Sequence, residues 1–244
     1  MEFLGVLALS VVATFVLRRP IKAAPWAFYG LSVLLVASLF AGNAGLLGTA
    51  WKPLILLLQR CMLPLALFTV VMYIGVFPKD SRVGRWLRPI RAELSIIACI
   101  LALGHMCLYL SPYLSRALAG GMGAPMAASF AISMVLFALL LVLGVTSFDS
   151  VKRRMTATLW KNIQRLAYLF FGLAYAHLLF MIAPAALHGG EQAALSVAIY
   201  SVVFVGYVPA RIARWHVDCA REARASHAAT PATADFESDV LTPA

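Results

Sequence analysis

Charged residues are scarce in this chain, and acidic residues are the scarcest of them. Only 12% of the 244 residues are charged, with 10 acidic against 20 basic side chains, while 62% are hydrophobic. A water-soluble domain cannot bury so much apolar surface, so the composition excludes a soluble enzyme and indicates a polytopic membrane protein. Glu2 is the only charge before Arg18. Because no basic segment precedes the first apolar run, a cleaved signal peptide is not expected.

Motifs for metal and nucleotide binding are also missing. The four cysteines have no CxxC spacing, and there is no glycine-rich nucleotide-binding motif. The cysteines are therefore interpreted as small structural residues, since their spacing supports neither a disulfide nor a metal site. Residues 213–244 end in a segment rich in Ala, Thr, Ser and Pro and predict a cytoplasmic, largely disordered tail. The chain shows no flavin or NAD domain, so a separate protein or a lipid quinone must donate electrons in any redox reaction.

Long apolar runs occupy most of residues 1–212. They predict seven membrane-spanning helices at residues 3–17, 26–43, 53–77, 92–112, 125–146, 160–184 and 193–210. At about 1.5 Å per residue, each run crosses or nearly crosses a hydrocarbon core of about 30 Å. The expected fold is all-α, a polytopic membrane helical bundle.

Basic residues follow every second span. Seventeen of the 20 lie in these connections: Arg18, Arg19, Lys22, Lys79, Arg82, Arg85, Arg88, Arg91, Lys152, Arg153, Arg154, Lys161, Arg165, Arg211, Arg214, Arg221 and Arg224. An excess of this kind is typical of cytoplasmic loops. It predicts an N-terminus outside and a C-terminus in the cytoplasm of a bacterial inner membrane. Orientation and contact with anionic lipid account for the basic loops, so nucleic acid is not an expected partner.

Two histidines lie inside the predicted spans. His105 is 14 residues after Arg91, and His177 is 16 residues after Lys161. These separations correspond to about 21 and 24 Å along helices that run in the same direction, so we expect the imidazoles at matched depth. Ionisable residues within a membrane span are costly and usually have a function. Two imidazoles can ligate one haem b iron from its two faces.

Distances counted from the other ends of the two spans also place the histidines at equal depth. Pro112 and Pro184 each follow a histidine by seven residues and mark the expected outer ends of the spans. An iron with both axial positions filled suits electron transfer better than oxygen binding. The alternative is two buried neutral histidines that bond to backbone carbonyls or to each other.

Arg60 is expected in the same layer of the membrane. It lies eight residues beyond Lys52, which is about 12 Å along the third span. A guanidinium at this depth needs a partner or must extend towards the headgroups. No carboxylate is expected within a span at that depth, so we predict a haem propionate as the partner of Arg60. Extension of its side chain to the headgroups is the alternative.

Residues 87–110 and 143–180 resemble the ferric-reductase-like transmembrane domain family, with the closest likeness to the MsrQ group of haem-binding subunits of methionine-sulfoxide reductase systems. The residues that fit the family pattern in the second segment are Thr146, Ser147, Trp160, Arg165, Tyr168 and His177. The resemblance implies a core at about 51–212 that carries electrons from quinol or reduced flavin, such as FMN, to a periplasmic reductase partner. Such a protein is an electron-transfer subunit of an oxidoreductase system and not a complete enzyme.

The chain departs from the family pattern at Gln164, where the family has another histidine. Gln164 is 13 residues from His177, about 20 Å along the helix, so it cannot serve the same iron. An amide is a poor iron ligand, and one haem is therefore expected. The additional N-terminal span is a second departure.

Two interpretations without a cofactor stay open. One is a transporter with seven spans, in which Pro64 kinks the third span, as in transporters with broken helices. Against it, the spans lack acidic residues apart from Glu93 at one edge. The other is a structural or assembly membrane protein. A haem spectrum separates both interpretations from a cytochrome.

Overall fold

The structure is a computed structural model that describes residues 2–78 and 80–229. Within these residues the fold is all-helical and contains no strand. The α-helices are α1 (Glu2–Val16), α2 (Arg18–Ala23), α3 (Pro25–Asn43), α4 (Lys52–Gln59), α5 (Met62–Ile74), α6 (Arg82–Leu87), α7 (Arg91–Leu118), α8 (Ala124–Ser147), α9 (Asp149–Lys152), α10 (Ala157–Leu187) and α11 (Glu191–Ala229). Short 3₁₀ turns at Thr49–Trp51 and Arg88–Ile90 precede α4 and α7.

A helix or a pair of helices occupies each of the seven predicted spans. Five segments of the described chain are long and apolar enough to cross a membrane alone: α3, α6 with α7, α8, α10 and α11. Helices α4 and α5 form a sixth if the pair is counted as one span despite a bend of 45°. Helix α1 has 15 residues, about 22 Å, which is shorter than a hydrocarbon core of about 30 Å. The all-helical membrane fold is confirmed, and the count of seven is not.

The connections rich in basic residues meet at one end of the bundle, which we call the basic end. It comprises the segment from Arg18 to Ala23, the connection between α5 and α7, the connection between α8 and α10, and the second half of α11. Two ion pairs hold these segments together: Lys22 Nζ is 2.8 Å from Glu93 Oε1 at the start of α7, and Arg221 Nη1 of α11 is 2.7 Å from Asp80 Oδ2 in the connection after α5. The ring of Tyr29 on α3 lies 6.2 Å from that of Phe148, which follows α8. The predicted alternation of basic loops thus corresponds to a grouping in space, while the side that faces the cytoplasm stays a prediction.

Helix α7 runs through the middle of the bundle. It packs against α3, α5 and α8, and its buried face includes Leu94, Ala98 and Leu101. On its other side α8 packs against α10, which packs in turn against α11 through Phe171 and Phe204. Helix α8 therefore lies between the two helices that carry the histidines.

The bend between α4 and α5 has a covalent cause. Pro64 has no backbone N–H to offer the carbonyl of Arg60, and its ring would collide with that carbonyl in a continuous helix. Cys61 relieves the conflict by adopting a left-handed conformation, with φ of 56°. This is the single non-glycine residue with positive φ among the described residues.

Three helices extend further than the sequence indicates. Pro112 and Pro184 do not end their helices, since α7 continues to Leu118 and α10 to Leu187. Proline is tolerated within membrane helices because neighbouring groups bond the freed backbone carbonyls. Helix α11 continues to Ala229, so the described part of the predicted tail, residues 213–229, is helical. The rest of that tail lies outside the described residues.

Candidate functional site

His105 lies on α7 and faces the bend between α4 and α5. Its Nδ1–H donates a hydrogen bond of 2.7 Å to the backbone carbonyl of Gln59. In an unbroken helix that carbonyl would accept from the amide four residues later. The bend at Cys61 interrupts this pattern, so the carbonyl of Gln59 is available to the imidazole. The sequence signal for this contact is Pro64, which predicts a kink in the third span but not the carbonyl that the kink makes available.

His177 lies on α10 and is held by Ser129 of α8. Its Nδ1–H is 2.9 Å from Ser129 Oγ and 3.1 Å from the Ser129 carbonyl oxygen, and both accept from it. The Ser129 hydroxyl donates in turn to the carbonyl of His177 at 3.3 Å. Ser129 is only 1% exposed, so these bonds are shielded from competition by water. A lone serine within an apolar run gives no periodicity signal, and sequence reasoning missed it.

The two imidazoles therefore share one hydrogen-bonding arrangement. In each ring Nδ1 carries the hydrogen and is satisfied by a backbone carbonyl, and no bond to Nε2 occurs within the described part of the chain. Histidines that ligate metals in proteins usually donate their other ring N–H to a carbonyl or carboxylate, which fixes tautomer and orientation. The hydrogen bonds to backbone carbonyls that the alternative of two neutral histidines predicts are thus present. They use only Nδ1, so each Nε2 can still ligate a metal.

Aromatic contacts connect the surroundings of the two histidines. The ring of His105 lies 5.0 Å from that of Tyr109, which is 5.9 Å from Tyr113. Tyr113 stacks at 6.4 Å on Phe130, the neighbour of Ser129 in α8. This series of rings links the surroundings of His105 to α8, the helix whose Ser129 holds His177.

Arg60 lies at the end of α4, directly after Gln59, and its side chain is 55% exposed. Its Nη1 is 3.0 Å from Glu2 Oε2. Arg60 thus has a carboxylate partner from just outside the first predicted span, which the sequence analysis did not consider. Glu2 reaches it because α1 is short, so that the first turn of α1 begins beside the bend. The role of Arg60 as a partner for a propionate stays a prediction.

Two clefts open at opposite ends of the bundle. One, of about 530 Å³, lies between α1 and α4, and its charged lining residues are Glu2, Lys52 and Arg60. The other, of about 310 Å³, lies at the basic end and is lined by Arg18, Arg19 and Lys22. Neither cleft is lined by a histidine.

Among the residues that the structure describes, no group of three or more His, Cys, Asp or Glu side chains could hold a metal ion. A haem iron takes four of its ligands from the porphyrin and needs only axial ligands from the protein. The donor set of two imidazoles therefore fits haem and does not fit a free metal ion.

Gln164 lies at the basic end, where it joins α10 to α8. Its Nε2 donates to Thr146 Oγ1 at 3.1 Å, and Trp160 Nε1 donates to the Thr146 carbonyl at 3.1 Å. Thr146 is 7% exposed, so this junction is well packed. The amide of Gln164 thus has a helix-packing role here, and the expectation of one haem stays a prediction.

Comparison with known proteins gives one family and one relative. The family described as "Ferric reductase like transmembrane component" matches residues 44–175, which is 132 of 244 residues. The matched range includes Arg60 and His105 and ends two residues before His177. An uncharacterized protein of Treponema pallidum (strain Nichols) is 42% identical over 149 residues, which cover 60% of this chain and 41% of that protein. The chain therefore matches less than half the length of this relative. No solved structure matches the chain.

Proposed function

Because this chain belongs to the family of ferric-reductase-like transmembrane components, we propose that it is a b-type cytochrome subunit of a bacterial inner membrane. His105 and His177 are the proposed axial ligands of one haem b. Family membership and the apolar helices support a membrane redox role. The proposed direction is from quinol or reduced flavin, such as FMN, to a periplasmic reductase partner.

The observation that carries the proposal is the shared bonding of the two imidazoles. Gln59 fixes the tautomer of His105, and Ser129 fixes that of His177, so each ring presents Nε2 without rearrangement. A haem held in this way supplies one-electron transfer and offers no open position to oxygen. The backbone carbonyls also raise the basicity of the imidazoles, which strengthens them as ligands.

The finer assignment, to a methionine-sulfoxide reductase system, rests on sequence resemblance. The residues that support it are Thr146, Trp160 and Tyr168, and the first two form the junction between α8 and α10. In that assignment the partner is a periplasmic reductase that carries a molybdenum cofactor. Gln164 is the departure that limits this finer proposal to a single haem.

The test is a reduced-minus-oxidised absorbance spectrum of the purified full chain, produced with haem supplied during growth. We expect a low-spin signal of a haem with two imidazole ligands and a stoichiometry of one haem per chain. His105→Ala and His177→Ala should each abolish the low-spin signal. His188→Ala is the matched control, because His188 is exposed at the end of α10 and should leave the spectrum unchanged.

Two results would contradict the proposal. The first is the absence of bound haem in a folded wild-type protein, which would favour the transporter or assembly interpretation. The second is a low-spin spectrum that survives in both His105→Ala and His177→Ala, which would place the axial ligands elsewhere.

A further inference from the structure

One face of α11 carries an uninterrupted row of polar groups at the basic end. Tyr207, Arg211, Arg214, Asp218 and Arg221 are spaced by three or four residues and therefore lie on one side of the helix. Arg211 Nε donates to the hydroxyl of Tyr168 on α10 at 3.0 Å. Arg221 binds Asp80 in the connection between α5 and α6. Arg214 lies between these two contacts, so its side of α11 covers the connection from α5 to α7.

Arg214 is a buried cation whose hydrogen bonds are incomplete. Its side chain is 4% exposed, and Nη2 binds Asp218 Oδ1 at 2.6 Å. Within the described residues, Nε and Nη1 are buried and have no hydrogen-bond partner. A guanidinium has five N–H donors, and each one that is buried without an acceptor is costly. Nε and Nη1 of Arg214 are therefore two buried donors for which the described residues provide no acceptor.

Further guanidinium groups surround the same connection. Arg91 interacts electrostatically with Arg88 and with Arg211. Arg88 Nη2 donates to the Phe77 carbonyl at 2.7 Å, while its buried Nε lacks a partner among the described residues. The neighbouring carboxylate on α7, Glu93, is bound to Lys22.

The charges of Arg88, Arg91 and Arg211 thus interact at the basic end. Arg214 lies three residues after Arg211 on the same face of α11, where it is paired with Asp218. Like charges repel, so an anion that binds among these arginines would relieve the repulsion and accept from the N–H groups of Arg88 and Arg214 that lack a partner.

We propose that Arg88, Arg91, Arg211 and Arg214 form a binding site for a phosphate group at the basic end of the bundle. Phosphate oxygens match the planar fork of a guanidinium, which binds them through two parallel hydrogen bonds. The phosphate belongs either to the headgroup of an anionic phospholipid or to a soluble phosphate compound, and basic pockets between membrane helices bind headgroups of this kind. Once bound, it holds α11 against α7 and α10. This site is separate from the proposed haem ligands and does not depend on them.

The experiment measures thermal unfolding of the purified full chain in nanodiscs. One arm adds inorganic phosphate to nanodiscs of phosphatidylcholine, with sodium chloride at equal ionic strength as the blank. The other arm replaces part of the phosphatidylcholine with phosphatidylglycerol. A ligand that binds only the folded state raises the unfolding temperature. The variants are Arg214→Met, which removes the buried charge, and Arg214→Lys, which keeps the charge and loses the fork. Arg224→Met is the matched control, since Arg224 is exposed on the same helix.

We expect wild type and Arg224→Met to be stabilised equally, and the apparent affinity to fall at least tenfold in Arg214→Met, with an intermediate loss in Arg214→Lys. Stabilisation in both arms identifies the phosphate group itself as the ligand, and stabilisation only by phosphatidylglycerol identifies a lipid headgroup. If Arg214→Met does not fold, Arg211→Met takes its place, because Arg211 is partly exposed. No stabilisation in either arm, or an equal response of the Arg214 and Arg224 variants, overturns the proposal.

Discussion

Gly104 offers a test of the contact between α3 and α7 that needs no cofactor. A Cβ at residue 104 would lie 2.7 and 2.8 Å from the two γ-methyls of Val36 on α3. Valine is restricted to one rotamer in a helix, so both methyls cannot turn away together. Overpacking of this kind costs about 1–3 kcal/mol, while glycine to alanine within a helix gains about 1 kcal/mol. We therefore expect Gly104→Ala to lower the free energy of unfolding by up to about 2 kcal/mol.

The decisive measurement is the same substitution in a Val36→Ala background. Both methyls are then absent and only the Cβ of residue 36 remains, 3.2 Å from a Cβ at residue 104. Gly104→Ala should therefore cost clearly less in this background than in wild type, because the gain of about 1 kcal/mol from helix propensity then offsets most of the crowding. Denaturant unfolding of the four proteins in detergent forms a double-mutant cycle that isolates the coupling. Gly172→Ala on α10 is the control, since a Cβ there meets nothing within 4 Å. An equal loss of stability in both backgrounds would show that α3 and α7 do not meet at these residues.

Two further predictions concern the tuning of the proposed haem. Ser129→Ala removes one acceptor from His177 Nδ1–H, so the imidazole becomes a weaker electron donor to the iron. The loss of one hydrogen bond of about 0.5–1.5 kcal/mol should raise the midpoint potential by about 20–60 mV, measured in a redox titration. An unchanged midpoint would exclude Ser129 as a support of a ligand. Arg60→Leu removes a cation that favours the reduced state, so it should lower the midpoint or reduce haem retention, whereas Lys52→Leu in the same cleft should have a smaller effect. Unchanged spectra and potential in Arg60→Leu would remove Arg60 from the site.

The helices were predictable because the length of an apolar run in the sequence indicates the length of the membrane helix that it forms. The runs 26–43 and 125–146 differ from α3 and α8 by at most one residue at either end. The errors came from proline, whose effect depends on its neighbours. Pro112 lies within a helix that continues, whereas Pro64 breaks its helix because Cys61 can take up the left-handed turn. A sequence shows where a backbone amide is missing, and it does not show which group compensates.

The sequence predicted the candidate ligands of the site, but not the groups that form hydrogen bonds with them. His105 and His177 stand out because imidazoles are rare in apolar spans. Gln59 contributes only a backbone carbonyl, which every residue has, so its side-chain chemistry gives no signal. The pairing of Arg60 with Glu2 was missed for another reason, since it depends on where a short helix begins in relation to a bend 58 residues away.

The shortness of α1 also affects the surrounding lipid. A helix of about 22 Å next to partners that span about 30 Å leaves a deficit of about 8 Å, which a bilayer accommodates by local thinning. Phe15 accepts a hydrogen bond from Trp86, so this end of α1 is aligned with its neighbours at the basic end. At the other end of the bundle, the cleft between α1 and α4 places the charged side chains of Glu2, Lys52 and Arg60 where the bilayer is thinned.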